Sequence, residues 1–172
     1  NQLLLMSAGG ISLASGSSIT YEGNSLGLGS FNTLRVIDVD LFARDEISLR
    51  SLDSLVIKNT KLTTSGRGFH DAVELLAHQE ISVDNLIFSE HIKRVAMEAM
   101  TVNLSNLNFP SGSQVKLNSA YGGIDGKYPN FNSMLYGRVN FIQNIRYANN
   151  PVMSRPDFDL HGGNISIGRI GN

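Results

Sequence analysis

Two eight-residue phrases in this chain share one pattern: residues 81–88 read ISVDNLIF and residues 102–109 read VNLSNLNF. Each has an apolar residue at places one, three, six and eight and Asn at place five, the first opening on Ile81 and the second on Val102. The same spacing extends backward. Val36, Asp38 and Leu41 correspond to Ile57, Asn59 and Leu62, then to Val83, Asn85 and Phe88, and finally to Leu104, Asn106 and Phe109, at offsets of 21, 26 and 21. The longer step contains TSGRGFHD (64–71), which reads as a loop inserted into one repeat.

A finer beat of apolar–x–apolar pairs runs between the copies: Ile37/Val39, Ile47/Leu49, Leu55/Ile57, Val73/Leu75, Ile81/Val83, Val95/Met97, Val102/Leu104 and Val115/Leu117. Alternation over three to five residues marks a short strand with one buried face. These strands are too short and too close together to alternate with crossover helices. Two or three short strands per period predict a parallel β-solenoid (β-helix) with coils of about 21 residues. One coil cannot bury its inward face alone, but stacked coils join those faces into an apolar column. Val36, Ile57, Val83 and Leu104 are expected in that column, with Leu41, Leu62, Phe88 and Phe109 on a neighbouring corner. Asn59, Asn85 and Asn106 would stack as a ladder at a turn, because Asn tolerates the left-handed conformation, and Asp38 occupies the same place. The competing architecture is an antiparallel β-sandwich, which also uses short strands and frequent turns but gives no reason for identity at a fixed offset.

SEHIKRVAMEAM (89–100) contains helix formers, yet Met97 matched to Leu76 of the preceding repeat favours a strand. Residues 1–30 read as further coils between Gly/Ser clusters. From about Ser119 the beat stops, apart from a longer alternating strand at 138–148 and a closing NISIGRI. The expected organisation is solenoid coils over 1–118 and an atypical C-terminal cap over 119–172, since an open stack exposes apolar surface and strand edges.

Composition agrees with a turn-rich repeat: Asn, Ser and Gly supply 54 of the 172 residues. The net charge of −1 gives no basic surplus for nucleic acid or an anionic membrane. Without cysteine there is neither disulfide nor thiolate chemistry. No apolar run approaches the roughly 20 residues of a membrane helix. NQLLLMSAGG lacks the basic n-region of a signal peptide and reads as the start of a mature product or of an ordered part of something longer.

Candidate chemistry is sparse. Of His70, His78, His91 and His161, only His70 and His91 are one repeat apart, and no metal or cofactor site is expected. A polysaccharide-cleaving β-helix would need carboxylates clustered in a groove. Asp38, Asp40, Asp45, Glu46 and Asp53, near Arg44 and Arg50, are the candidates. Asp38 also reads as a corner residue, and Asp45 and Glu46 as solvated turn residues. Tyr21, Phe31, Phe42 and Phe69 are the aromatics available to line such a groove, the phenylalanines being equally suited to the core. AGG (8–10), HGG (161–163) and the Asp-Gly of IDGK (124–127) lack phosphate-loop or calcium-repeat context.

NLSNLNFPSGSQVKLNSAYGGI (103–124), GRVNFIQNIRY (137–147) and ISIG (165–168) resemble the C-terminal regions of very large β-helical, filamentous-haemagglutinin-like secreted or surface proteins of bacteria. The likeness covers the chain from Asn103 to its end and implies a fibrous, adhesive or cell-envelope role without active-site residues. The expected function is a non-catalytic structural or adhesive extracellular or cell-surface module that self-associates or joins adjoining segments of a larger fibre. A glycan-binding or polysaccharide-degrading β-helix is the alternative. Leu3 and Leu5 of the alternating N-terminal stretch, with Ile165 and Ile167 of NISIGRI, are the expected assembly residues, because unprotected edge strands pair with other chains.

Overall fold

The computed structural model describes residues 1–110 and 112–118 and the backbone of strand segments 138–143, 146–147, 157–161 and 164–167. The first coil holds β1 (Gln2–Ser7), β2 (Ile11–Ser12) and β3 (Ser18–Tyr21), and the second β4 (Ser25–Ser30), β5 (Leu34–Ile37) and β6 (Asp40–Ala43). The third holds β7 (Glu46–Ser51) and β8 (Ser54–Thr63), the fourth β9 (Ala72–Ala77) and β10 (Glu80–Phe88), and the fifth β11 (Arg94–Glu98) and β12 (Thr101–Phe109). β13 (Gln114–Asn118), β14 (Arg138–Gln143), β15 (Arg146–Tyr147), β16 (Asp157–His161) and β17 (Asn164–Ile167) follow.

These strands build two sheets. One runs β1-β4-β7-β9-β11-β13-β16 and the other β17-β14-β12-β10-β8-β5-β2, with β3, β6 and β15 attached to the second. Pairing is parallel throughout the registered strands, as in β8–β10 and β10–β12. The described residues thus form a parallel β-solenoid of about five turns, all-β, not an antiparallel sandwich. In the first sheet the register runs Leu3, Leu26, Ile47, Val73, Val95 and Val115, with offsets of 23, 21, 26, 22 and 20.

Strand alternation explains the core. Leu26/Leu28, Ile47/Leu49, Val73/Leu75, Val95/Met97 and Val115/Leu117 point inward from the first sheet, and Leu34/Val36, Leu55/Ile57, Ile81/Val83 and Val102/Leu104 from the second. All are at most 2% exposed. Burying each such side chain contributes about 1.5–3 kcal/mol, which offsets the cost of ordering a turn-rich backbone. Phe88 lies opposite Leu62, itself opposite Leu41, and its ring stacks on that of Phe109.

Two local expectations change. Met97 pairs with Leu75, not Leu76; the shift of one residue matters because it exchanges the two faces of a strand. Ile37 and Val39 do not share a strand, because the left-handed Asp38 (φ 53°) ends β5 between them. Within the alternating stretch at 138–148 the described strands are β14 and β15. The expected cap over 119–172 lies largely outside the described residues. The strands described there extend the stack in parallel: β14 on β12, β16 on β13 and β17 on β14.

Candidate functional site

Three features stand out on this scaffold: a polar ladder along one corner, a loop built on buried carboxylates, and an open end face.

The ladder follows from backbone conformation. Asp38, Asn59, Asn85 and Asn106 have φ of 53°, 47°, 57° and 51°, and Gly16, at 76°, takes the equivalent place in the first coil. This conformation turns the chain sharply while keeping the next strand in register, and Asn, Asp and Gly tolerate it best. The amide of Asn59 donates to Asp38 Oδ1 at 2.9 Å, and that of Asn85 to Asn59 Oδ1 at 2.9 Å. Asn106 instead donates to Asp84 Oδ1 at 2.6 Å. Hydrogen bonds from Asn59 and Ser15 hold the Asp38 carboxyl below the usual carboxylate range, and those from Asn106 and Ser105 do the same for Asp84. Gly16 escaped the sequence reading because it has no side chain to repeat.

The loop at 64–71 occupies the junction between β8 and β9. Asp45, expected in a solvated turn, is instead buried at 9% exposure. Its Oδ1 accepts the backbone N–H groups of His70 (2.6 Å) and Asp71 (2.8 Å). Asp71 is fully buried and left-handed (φ 43°). Its Oδ1 accepts the Gly66 N–H at 3.1 Å, and its Oδ2 meets Lys93 Nζ at 2.9 Å. Burial pushes the Asp71 carboxyl up, but the Lys93 ammonium and the Gly66 N–H hold it below the usual range. Gly68 is needed where the chain passes Asp45, since a β-carbon there would fall 2.7 Å from the Asp45 Cα. The sequence signal for this arrangement was the long repeat itself.

The network fixes what the loop displays. Phe69 is 89% exposed, and its ring meets the His70 imidazole edge-on at 4.9 Å between centroids. His70 Nδ1 is hydrogen-bonded to the Arg94 guanidinium. His91 lies against Gly66, so His70 and His91 have separate neighbours. Beside His70, a groove of about 380 Å³ runs over the outer face of β7, β9, β11 and β13. Its floor includes the small Ala72 and Ala96, and Glu46, Glu74, Arg94 and Lys116 supply charge. Glu46 is therefore a half-buried strand residue rather than a solvated turn residue. Arg50 already engages Glu74 at 3.3 Å.

The remaining candidates are dispersed. Asp53 accepts from the Thr33 hydroxyl at 3.2 Å, and Asp40 is exposed beside Phe42 on another face. Phe31 is 52% exposed and Tyr21 packs partly against the core. Among the described residues no three His, Asp or Glu side chains converge as a metal site.

At the end face, β1 is the outermost strand of its sheet. Leu3 and Leu5 sit in register with Leu26 and Leu28, which are 0% and 1% exposed. Leu3 is only partly covered and Leu5 is 42% exposed. β17, which carries Ile165 and Ile167, is at the far end of the other sheet.

Stacked parallel coils, an inward column and a left-handed polar corner place the chain in the class of parallel β-solenoid modules. No protein-family model, curated protein or solved structure matches it. The geometry alone carries the class.

Proposed function

We propose that this chain is a non-catalytic structural module of an extracellular or cell-surface fibre, joined to its neighbours through the ends of the solenoid. The observation that carries this reading is the end face: the apolar column reaches β1 with Leu5 uncovered, while the edge of that strand away from β4 carries the backbone donors and acceptors of a further parallel rung. A coil of an adjoining segment or of a second copy fits there. Head-to-tail stacking of copies that does not close into a ring yields a filament. The extracellular placement rests on the likeness of residues 103–124, 137–147 and 165–168 to filamentous-haemagglutinin-like proteins. The non-catalytic reading is supported by the employment of Asp38 in the ladder and Asp45 in the loop.

The test is assembly of the purified chain, followed by sedimentation and electron microscopy. The wild type is expected to associate with rising concentration, and Leu5→Lys, which places a charge at the column end, to stay monomeric and folded. A wild-type chain that remains monomeric at high concentration would overturn the reading.

A further inference from the structure

We propose that the groove beside the 64–71 loop is a binding site for a uronate-bearing oligosaccharide. This surface lies on the outer face of the first sheet, separate from the end face, and does not depend on assembly.

The first ground is how the loop is built. The rung from Leu26 to Ile47 steps by 21, whereas the next, from Ile47 to Val73, steps by 26. The extra chain is pinned by Asp45 on the N–H groups of His70 and Asp71, by Asp71 on Gly66 and by the Lys93–Asp71 ion pair. Buried carboxylates are costly unless fully bonded, and here they fix the backbone at His70, which lines the groove, and at Asp71 next to it. What this pinning displays is an aromatic ring at 89% exposure and an imidazole at the groove's rim. Core packing gives no reason to place a phenylalanine ring in solvent beside His70. Ligand binding does, because a preorganised contact loses little entropy.

The second ground is the chemistry of the groove. His70 Nδ1 faces a guanidinium, which has only donors, so the nitrogen acts as acceptor and the ring N–H lies on Nε2. Arg94 and the His70 Nε2–H thus present donors to a carboxylate, and Arg adds a planar fork suited to one. Glu46 presents acceptors to sugar hydroxyls, and Gln114 presents both kinds. Glu74 is held by Arg50 and contributes little free negative charge. A plain polyanion would use Arg94 but be repelled by Glu46. A sugar with both a carboxylate and hydroxyls uses both sets of groups, and its apolar C–H face can rest on Phe69.

The probes are hexagalacturonate, its fully methyl-esterified form and polyglutamate, titrated by calorimetry against the intact chain. Hexagalacturonate is expected to bind, and esterification to weaken it at least about tenfold, the scale of one lost charge-assisted hydrogen bond. Phe69→Ala and Arg94→Gln should each weaken it by about the same factor with an unchanged melting temperature, since both side chains are exposed. Arg35→Gln, on the other sheet, should leave it unaltered. The proposal is overturned if hexagalacturonate fails to bind, if polyglutamate binds as tightly, or if folded Phe69→Ala and Arg94→Gln bind as the wild type does.

Discussion

Phe88 and Phe109 stack with ring centroids 5.6 Å apart and planes 16° from parallel, each ring coming from a different coil. The contact ties β10 to β12 at a corner where both side chains are at most 6% exposed. Phe88→Ala should therefore cost about 3–5 kcal/mol in urea unfolding. Ile87→Ala, at the 48% exposed neighbour, should stay within about 0.5 kcal/mol. Equal effects at the two positions would contradict the inward assignment of Phe88.

At Asn85 the backbone and the side chain can be separated. Asn85→Ala meets the left-handed penalty of about 1–2 kcal/mol and also loses the bond to Asn59. Asn85→Gly loses only the bond, so thermal unfolding should rank wild type above Gly and Gly above Ala. A Gly variant less stable than the Ala variant would show that the amide bond, rather than φ, governs the corner.

Asp38, Asp71 and Asp84 all have folded-state values below the ordinary 3.8. A depressed carboxylate contributes stability above its unfolded value and loses that contribution as pH falls through its folded value. The urea midpoint should thus be flat near neutrality and fall below about pH 4. Asp71→Asn should be less stable near neutral pH, where Lys93 loses its partner, and show a shallower acid decline. A parallel decline in both proteins would remove Asp71 from the account.

Gly68→Ala places a methyl group against the Asp45 backbone. The loop should move and weaken the Asp45 bonds to His70 and Asp71 while the flanking ladders persist. Amide exchange is expected to speed up at His70 and Asp71 and to stay slow in β10 and β12. Unchanged exchange at His70 would show that the loop accommodates the methyl group.

The stack was legible because its register repeats residue types. Val36, Ile57, Val83 and Leu104 align in the sheet as their spacing suggested. The one-residue error at Met97 arose where the longest coil, a step of 26, precedes coils stepping by 22 and 20, so that spacing alone no longer fixes register. Asp45 and Asp71 were not legible as buried groups. Asp45 is held by N–H groups about a coil away, and Asp71 by Gly66 within the loop and Lys93 of the next coil, so neither carboxylate carries a local mark of burial. The groove was hidden for a similar reason, since its charged residues come from different coils and meet only when β7, β9, β11 and β13 lie side by side.

The long step from Ile47 to Val73 has a consequence for distance. Neighbouring strands lie about 4.8 Å apart whatever the chain does between them. The coil that carries the 64–71 insertion therefore advances along the axis no further than the short coil between Val95 and Val115. The solenoid is a ruler graduated in turns, and added chain at a corner lengthens the sequence without moving any mark.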